Sequence, residues 1–229
     1  MNSRPVVRSS GRPVVATVLD LLLPAVCPLC HEAQGPDLCA ACHKLLPTLI
    51  EPCPLCAMPR REAPCATCRD DGLIHLDAVQ AGFAYRGTMR QLVGDAKAGA
   101  RPAAVTALAG LLPLPEAAVQ AVVAVPPSPG RRPGPHLATA CARLAARRLG
   151  VPFLTPLRCT RHAREQHRLS RAERARNVVG LFTCRGPVPE RVLLVDDILT
   201  SGATASAAAA ALRAHGAKRI VASFLCRAL

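Results

Sequence analysis

Aromatic residues are scarce in this chain of 229 residues. Tryptophan is absent, tyrosine occurs once and phenylalanine four times, so aromatic side chains make up only 2% of the sequence. Since half of the residues are hydrophobic, the core must be built mainly from alanine, valine and leucine. The length suffices for one ordinary α/β domain and a smaller unit beside it.

Lysine is also scarce. Lys44, Lys97 and Lys218 are the only lysines among 29 basic residues, and the formal net charge is +14. Arginine makes bidentate contacts with phosphate and keeps its charge, which suits a phosphorylated ligand or a nucleic acid. A general bias of the sequence towards arginine would give the same composition, so composition alone leaves both interpretations open.

A long apolar run is missing as well. The apolar stretch Val14–Val26 follows three arginines, as in an export signal, but Asp20 interrupts it, Pro24 ends it and no cleavage site of small residues follows. It is also too short to span a bilayer. We therefore expect a disordered basic tail over residues 1–13, a short helix over 14–24, no membrane span and a cytoplasmic protein.

Cysteine, by contrast, is abundant and ordered. Eight of the twelve cysteines form four C-x-x-C pairs between Cys27 and Cys68. Pairs spaced in this way are typical of metal sites in a reducing compartment rather than of a disulfide scaffold. Two such pairs complete a tetrahedral site of four thiolates, and two separate sets suit zinc better than an iron–sulfur cluster.

The cysteine spacing predicts a double zinc ribbon over residues 25–72. Four thiolates close each site, so both zinc ions are expected to be structural, and they would stabilise a segment that has few apolar residues of its own. Sequential pairing is one possibility, and a cross-braced arrangement fits the spacing too. In sequential pairing the ligands are Cys27, Cys30, Cys39 and Cys42 for one ion, and Cys53, Cys56, Cys65 and Cys68 for the other.

Residues 73–229 alternate between strand and helix patterns. Such alternation predicts a parallel α/β sheet with helices on both faces. The predicted strands are Ala78–Tyr85, Ala121–Val125, Val151–Leu154, Val192–Val195 and Arg219–Leu225. The predicted helices are Gly87–Lys97, Ala103–Leu112, His136–Leu149, which ends at a capping Gly150, and Ala203–Ala214.

The segment Val192–Thr204 carries the clearest chemical pattern. Four apolar residues predict a buried strand, and Asp196 and Asp197 follow at its carboxyl end, where ligands bind in open α/β sheets. Thr200, Ser201, Gly202, Ala203 and Thr204 then lead into a helix. The unpaired N–H groups of that turn can hold a phosphate, and the hydroxyl groups add donors. The two carboxylates can accept hydrogen bonds from vicinal ribose hydroxyls. The segment matches neither G-x-G-x-x-G nor the ATP-binding P-loop.

The sequence VLLVDDILTSGAT at Val192–Thr204 resembles the signature of type I phosphoribosyltransferases, which bind phosphoribosyl pyrophosphate (PRPP). The chain as a whole is similar to the ComF family, bacterial proteins in which a cysteine-rich ribbon precedes a phosphoribosyltransferase-like domain. The resemblance also includes LDLLLPAVCPLC at 19–30, CPLC at 53–56, AYRG at 84–87 and LSRAERARN at 169–177.

The resemblance implies PRPP as ligand, with Mg²⁺ bound to it. It implies that Asp196 and Asp197 contact the ribose at the catalytic centre and that Thr200–Thr204 binds the 5-phosphate. Pro127 and Ser128 resemble the pyrophosphate loop, and Lys97 lies where the family has a lysine. The sequence departs from the family after that loop, where Arg131–His136 replaces an Arg-Gly-Phe-Asn-Gln stretch, so the acceptor side of the site is not assigned.

A basic segment lies between Arg158 and Arg176. Its arginines, among them Arg161, Arg164 and Arg168, could form a lid over the pyrophosphate, a groove for single-stranded DNA, or simply a solvated face. Single-strand grooves usually contain stacking aromatics, and none occurs between residues 155 and 180.

Two functions therefore stay open. One is a phosphoribosyltransferase with an unidentified acceptor. The other is a PRPP-responsive protein without catalysis that binds single-stranded DNA or a helicase during DNA uptake, which the family resemblance suggests.

Overall fold

The structure is a computed structural model that describes residues 26–32, 35, 37–59, 64–69, 72–99, 102–129, 136–160 and 180–229. Its helices are α1 (Ala40–Lys44), α2 (Gly87–Lys97), α3 (Pro102–Gly110), α4 (Leu137–Leu149) and α5 (Ala203–Arg213). Its strands are β1 (Ala78–Ala84), β2 (Ala121–Ala124), β3 (Phe153–Leu154), β4 (Leu157–Cys159), β5 (Phe182–Cys184), β6 (Arg191–Leu199) and β7 (Arg219–Arg227).

Five strands form one sheet in the order β1-β7-β6-β2-β3. Every neighbouring pair in this sheet is parallel. Val192, Leu193, Leu194 and Val195 in β6 are all completely buried, as expected for a central strand that is covered on both faces. The predicted parallel α/β fold is thereby confirmed.

Helices cover both faces of the sheet. On one face, Leu193 and Val195 of β6 pack with side chains of α2, α3 and α4. On the other, Val192 and Leu194 pack with the alanines of α5. Because successive side chains of a strand point to opposite faces, one apolar strand contributes to both cores. Alanine, valine and leucine dominate these cores, as the composition predicted.

Strand β6 is longer than the sequence pattern predicted. It continues from Val195 to Leu199, so Asp196 and Asp197 lie within the strand rather than after it. The extension forms because β7 continues to pair with it as far as Leu199 with Arg227. On its other side β6 loses its partner earlier, since pairing with β2 ends at Val195. The two aspartates therefore lie beside the open end of β2.

Three small elements were not predicted. Strands β4 and β5 form an antiparallel pair, and α1 is a single short helix of the ribbon that begins after Cys39 and contains Cys42. Elements of three to five residues are too short to show a periodic hydrophobic pattern.

The predicted tail over 1–13 and helix over 14–24 lie outside the described residues. Within the described residues, no helix is long and apolar enough to cross a membrane.

The cysteine-rich ribbon packs along β1. The N–H of Leu49 donates to the carbonyl of Gly82 at 3.0 Å, and the N–H of Val79 donates to the carbonyl of Pro54 at 2.7 Å. Ala57 of the ribbon is completely buried and belongs to the core beside α5. The ribbon and the sheet therefore share main-chain hydrogen bonds and a common hydrophobic core.

Two exposed glycines should respond in opposite ways to alanine. Gly150 ends α4 with φ 68° and has open space where a Cβ would lie, so the cost is conformational. Gly150→Ala is expected to lower the free energy of unfolding by about 1–2 kcal/mol. Gly94 lies inside α2, also with open space, and Gly94→Ala is expected to raise it by about 0.5–1 kcal/mol. Urea unfolding of both variants tests this, and equal signs would contradict it.

Candidate functional site

The eight paired cysteines form two tetracysteine clusters. In each cluster the four sulfurs all lie within 4.8 Å of one another. The Sγ atoms of Cys56 and Cys65 are 3.7 Å apart, those of Cys53 and Cys68 3.8 Å, and those of Cys30 and Cys39 4.0 Å. Tetrahedral zinc with bonds of ~2.3 Å places its sulfurs about 3.8 Å apart. The clusters therefore fit a double zinc ribbon and could hold two zinc ions.

The clusters form by sequential pairing. Cys27, Cys30, Cys39 and Cys42 form the first cluster, and Cys53, Cys56, Cys65 and Cys68 form the second. The backbone after three of the four pairs turns in the same way, because His31, Ala57 and Arg69 adopt positive φ. Their N–H groups donate to the carbonyls of the first cysteine in each pair at 2.7–3.0 Å. The remaining pair, Cys39 and Cys42, continues into α1 instead, so the first cluster contains one such turn and the second contains two.

The second part of the candidate site is a crevice between β6 and β2. After β6 the chain continues through α5 to β7 on one side, whereas after β2 it continues through α4 to β3 on the other. Open α/β sheets bind their ligands outside the carboxyl ends of the strands at such a switch point. The topology thus predicts a ligand site at the residues that follow Ala124 and Val195, the last residues that pair between these two strands.

A cavity of about 270 Å³ opens in this crevice. Its wall is mostly polar or conformationally rigid, and it combines residues from four separate parts of the chain. These are Lys97, Val125, Pro126, Pro127, Ser128, His136, Asp196, Asp197 and Thr204. The structure therefore brings together the aspartate pair, the loop after β2 and Lys97, all of which the sequence had suggested as ligand-binding residues.

The charges of this cavity are closely coupled. Nζ of Lys97 lies 3.0 Å from Oδ1 of Asp197, and Asp197 is only 7% exposed. The N–H of Asp197 donates to Oδ1 of Asp196 at 2.9 Å. Burial, together with the negative charge of Asp197, raises the pKa of Asp196 to about 8, although that N–H and Lys97 act in the opposite direction. The cavity thus places two carboxyl groups and one ammonium group where they can bind hydroxyl groups and an anion.

The loop between β6 and α5 borders a second, smaller cavity. Gly202 caps α5 with φ 80°, a conformation that costs other residues about 1–2 kcal/mol. The first N–H groups of α5 have no acceptor within the helix and attract anions. The cavity has about 40 Å³, which is room for about three water molecules. It is lined by Asp196, Ile198, Leu199, Thr200, Gly202, Thr204, Ala205 and Phe224.

Two loop residues take other positions. Ser201 and Ala203 line neither of these two cavities. Oγ of Ser201 instead accepts the N–H of Ala203 at 3.4 Å. The hydroxyls that border the smaller cavity are therefore those of Thr200 and Thr204.

His136 was not singled out by the sequence, yet it lines the larger cavity. It precedes α4, and its Nδ1 lies 3.0 Å from Oγ1 of Thr139. No local motif surrounds it, and only the strand order brings it opposite the aspartates. The arginines at 161, 164 and 168 lie outside the described residues, so their role as a lid or a DNA groove stays a prediction.

A scan against models of protein families and a search of the curated proteins both return no match.

Proposed function

We propose that the chain is a ComF-type phosphoribosyltransferase-like protein that binds PRPP, or ribose 5-phosphate, between Asp196 and Thr204. The observation that carries the proposal is the pair of adjoining cavities at the switch point of the sheet. The smaller cavity is bordered by the loop from Thr200 to Thr204, and the larger one by two carboxyl groups and Lys97. Asp196 and Thr204 line both cavities.

Each group of the ligand has a matching part of the site. The 5-phosphate would lie in the smaller cavity, against Thr200, Thr204 and the first N–H groups of α5. The ribose hydroxyls would donate to Asp196 and Asp197, since carboxylates accept hydrogen bonds from vicinal hydroxyls. The pyrophosphate would extend past Pro127 and Ser128 towards Lys97, where Mg²⁺ that accompanies it would neutralise part of its charge.

The reaction that this site would support is transfer of the phosphoribosyl group. The bond between C1 of the ribose and the pyrophosphate oxygen breaks, and pyrophosphate leaves with the electron pair. A nitrogen nucleophile forms the new bond to C1 and releases its proton to solvent. The ribose acquires positive charge on the way, and the negative charge of the buried Asp197 would stabilise it.

Binding and transfer are tested separately. We expect calorimetry to detect PRPP and ribose 5-phosphate with Mg²⁺ present, and ribose without phosphate to bind at least tenfold more weakly. Incubation of PRPP with a panel of nitrogenous bases then tests transfer through release of pyrophosphate. If PRPP binds but no base causes release of pyrophosphate, the chain is a PRPP-binding protein and the proposal of a transferase fails. Absence of binding by both phosphate compounds would remove the proposed function altogether.

A further inference from the structure

Arg227, at the end of β7, is a buried arginine whose hydrogen bonds go to the main chain. It is only 7% exposed. Its Nε donates to the carbonyl of Cys56 at 3.0 Å, and its Nη1 donates to the carbonyls of Leu199 at 3.0 Å and of Thr200. Burial lowers the pKa of Arg227, but a guanidinium keeps its charge in a protein. Such a buried cation is costly unless its donors are satisfied, so this arrangement holds the three carbonyls in place.

Apart from that of Ala228, its neighbour in the chain, the carbonyls that Arg227 binds belong to two different parts of the molecule. Cys56 is a member of the second cysteine cluster. Leu199 ends β6 and Thr200 begins the loop after it, and both residues line the smaller cavity. The side chain of Arg227 therefore connects the second cluster to the start of the loop between β6 and α5.

Leu73 makes a second connection between the same two parts. It packs against the cysteines of the second cluster and also against the core beside α5. A Cβ placed on Gly202 would lie 2.7 Å from Cδ1 of Leu73, so Leu73 lies directly on the loop. A larger residue at 202 would displace Leu73, and the glycine is needed for this contact as well as for its positive φ.

The first cluster connects elsewhere. The ribbon segment that follows it reaches β1 through Leu49 and Gly82 at 3.0 Å. It reaches the start of α2 through Oγ1 of Thr88, which donates to the carbonyl of Leu45 at 3.0 Å. These contacts lie on elements other than the loop, so the two clusters are not equivalent with respect to the candidate site.

From this asymmetry we propose that the second cluster positions the phosphate-binding loop, with Arg227 and Leu73 as the positioning residues. Zinc bound at the second cluster then strengthens the binding of a sugar phosphate at the loop, whereas zinc bound at the first cluster does not change it. The proposal rests on the proposed function of the loop. Coupling of binding free energies is reciprocal, so the sugar phosphate must also tighten the binding of zinc at the second cluster.

Zinc retention can be measured for each cluster in the full-length protein. The zinc-loaded protein is equilibrated with increasing chelator, and a short pulse of an alkylating reagent labels the cysteines that have lost zinc. Mass spectrometry of the peptides then gives a chelator midpoint for each cluster. With saturating ribose 5-phosphate, we expect the midpoint of the second cluster to rise at least about fivefold and that of the first cluster to stay unchanged.

Variants identify the residues that transmit the effect. Arg227→Met is expected to abolish the shift of the second midpoint, and Arg227→Lys to keep part of it. Arg219→Met is the matched control, because Arg219 is an exposed arginine at the other end of β7. If Arg227→Met does not fold, Leu73→Ala decides, since it removes the packing on Gly202 without leaving a polar group unpaired. Leu73→Ala should lose most of the shift.

The outcomes separate this proposal from the proposed function. If calorimetry shows that ribose 5-phosphate binds but both midpoints move equally, or neither moves, the coupling is overturned and the binding function stands. If ribose 5-phosphate does not bind, the binding function fails, and hydrogen exchange along the same titration tests the positioning. Hydrogen exchange of the Thr200–Thr204 amides should become faster as the chelator removes zinc from the second cluster. Exchange that is independent of the second cluster overturns the positioning role.

Discussion

Cys53→Ala is expected to reduce bound zinc from two ions to one per chain and to unfold the ribbon around the second cluster. The four cysteines of this cluster are at most 6% exposed, and they form most of the small core of that segment. A structural zinc site contributes about 10–16 kcal/mol in small zinc domains, which is as much as the whole stability of a typical domain. Its loss should therefore exceed the effect of any single apolar substitution.

The damage should extend into the α/β domain. Ala57, next to Cys56 in the chain, is completely buried in the core beside α5, and Arg227 binds the carbonyl of Cys56. We expect a lower urea midpoint for the whole protein. Cys159→Ala is the matched control, because Cys159 lies outside both clusters. Zinc content by elemental analysis and urea unfolding test this, and two zinc ions with an unchanged midpoint in Cys53→Ala would contradict it.

Asp196→Asn is expected to weaken ribose 5-phosphate binding at least tenfold while making the protein more stable near neutral pH. The asparagine keeps an Oδ1 that can accept the N–H of Asp197, as Asp196 does at 2.9 Å. It cannot ionise, and its amide cannot accept from two ribose hydroxyls as a carboxylate does. It also removes the carboxyl group of Asp196, which the negative charge of the buried Asp197 repels when it ionises.

The stability effect has a definite dependence on pH. Because the pKa of Asp196 is raised to about 8 in the folded protein, the folded state holds a proton that the unfolded state has lost between pH ~4 and ~8. The wild-type free energy of unfolding therefore falls as pH rises through this range, by at most about 1.4 kcal/mol per pH unit from this group. The slope from this group ends above pH ~8, where both states are ionised.

Asp196→Asn should lack this contribution to the slope, so its advantage over the wild type grows from pH 5 to pH 8. Glu116→Gln, which alters an exposed carboxylate, should leave both the binding and the slope unchanged. Calorimetry with ribose 5-phosphate and urea unfolding at several pH values provide the two measurements. If Asp196→Asn binds ribose 5-phosphate as tightly as the wild type does, Asp196 does not belong to the ligand site. If the variant is less stable than the wild type at pH 8, repulsion between Asp196 and Asp197 does not destabilise the folded protein.

Several local features could be read from the sequence because each is encoded by adjacent residues. The four C-x-x-C pairs define turns that bring two sulfurs together. The run from Val192 to Val195 defines a strand that is buried on both faces. Gly150 ends α4 in the left-handed conformation that the sequence predicted for a capping glycine.

Other features depended on partners that are distant in the sequence. The end of β6 could not be located from its own residues, because β7 pairs with it beyond Val195 whereas β2 does not. The short strands β4 and β5 pair only with each other, and three residues carry too little pattern to reveal a strand. His136 reaches the cavity only because α4 starts beside the carboxyl end of β6.

The sequence by itself determined the two kinds of site in this protein: thiolate clusters, and an acidic strand end followed by a small hydroxyl-rich turn. Only the tertiary structure decided how they are joined. It selected sequential rather than cross-braced pairing of the cysteines. It also set the ion pair between Lys97 and Asp197 and the contact of Arg227 with Cys56, which link residues far apart in the chain. Local pattern sets the conformation of adjacent residues, whereas strand order sets which distant residues meet. Strand order follows from packing both faces of the sheet, and no short segment encodes it.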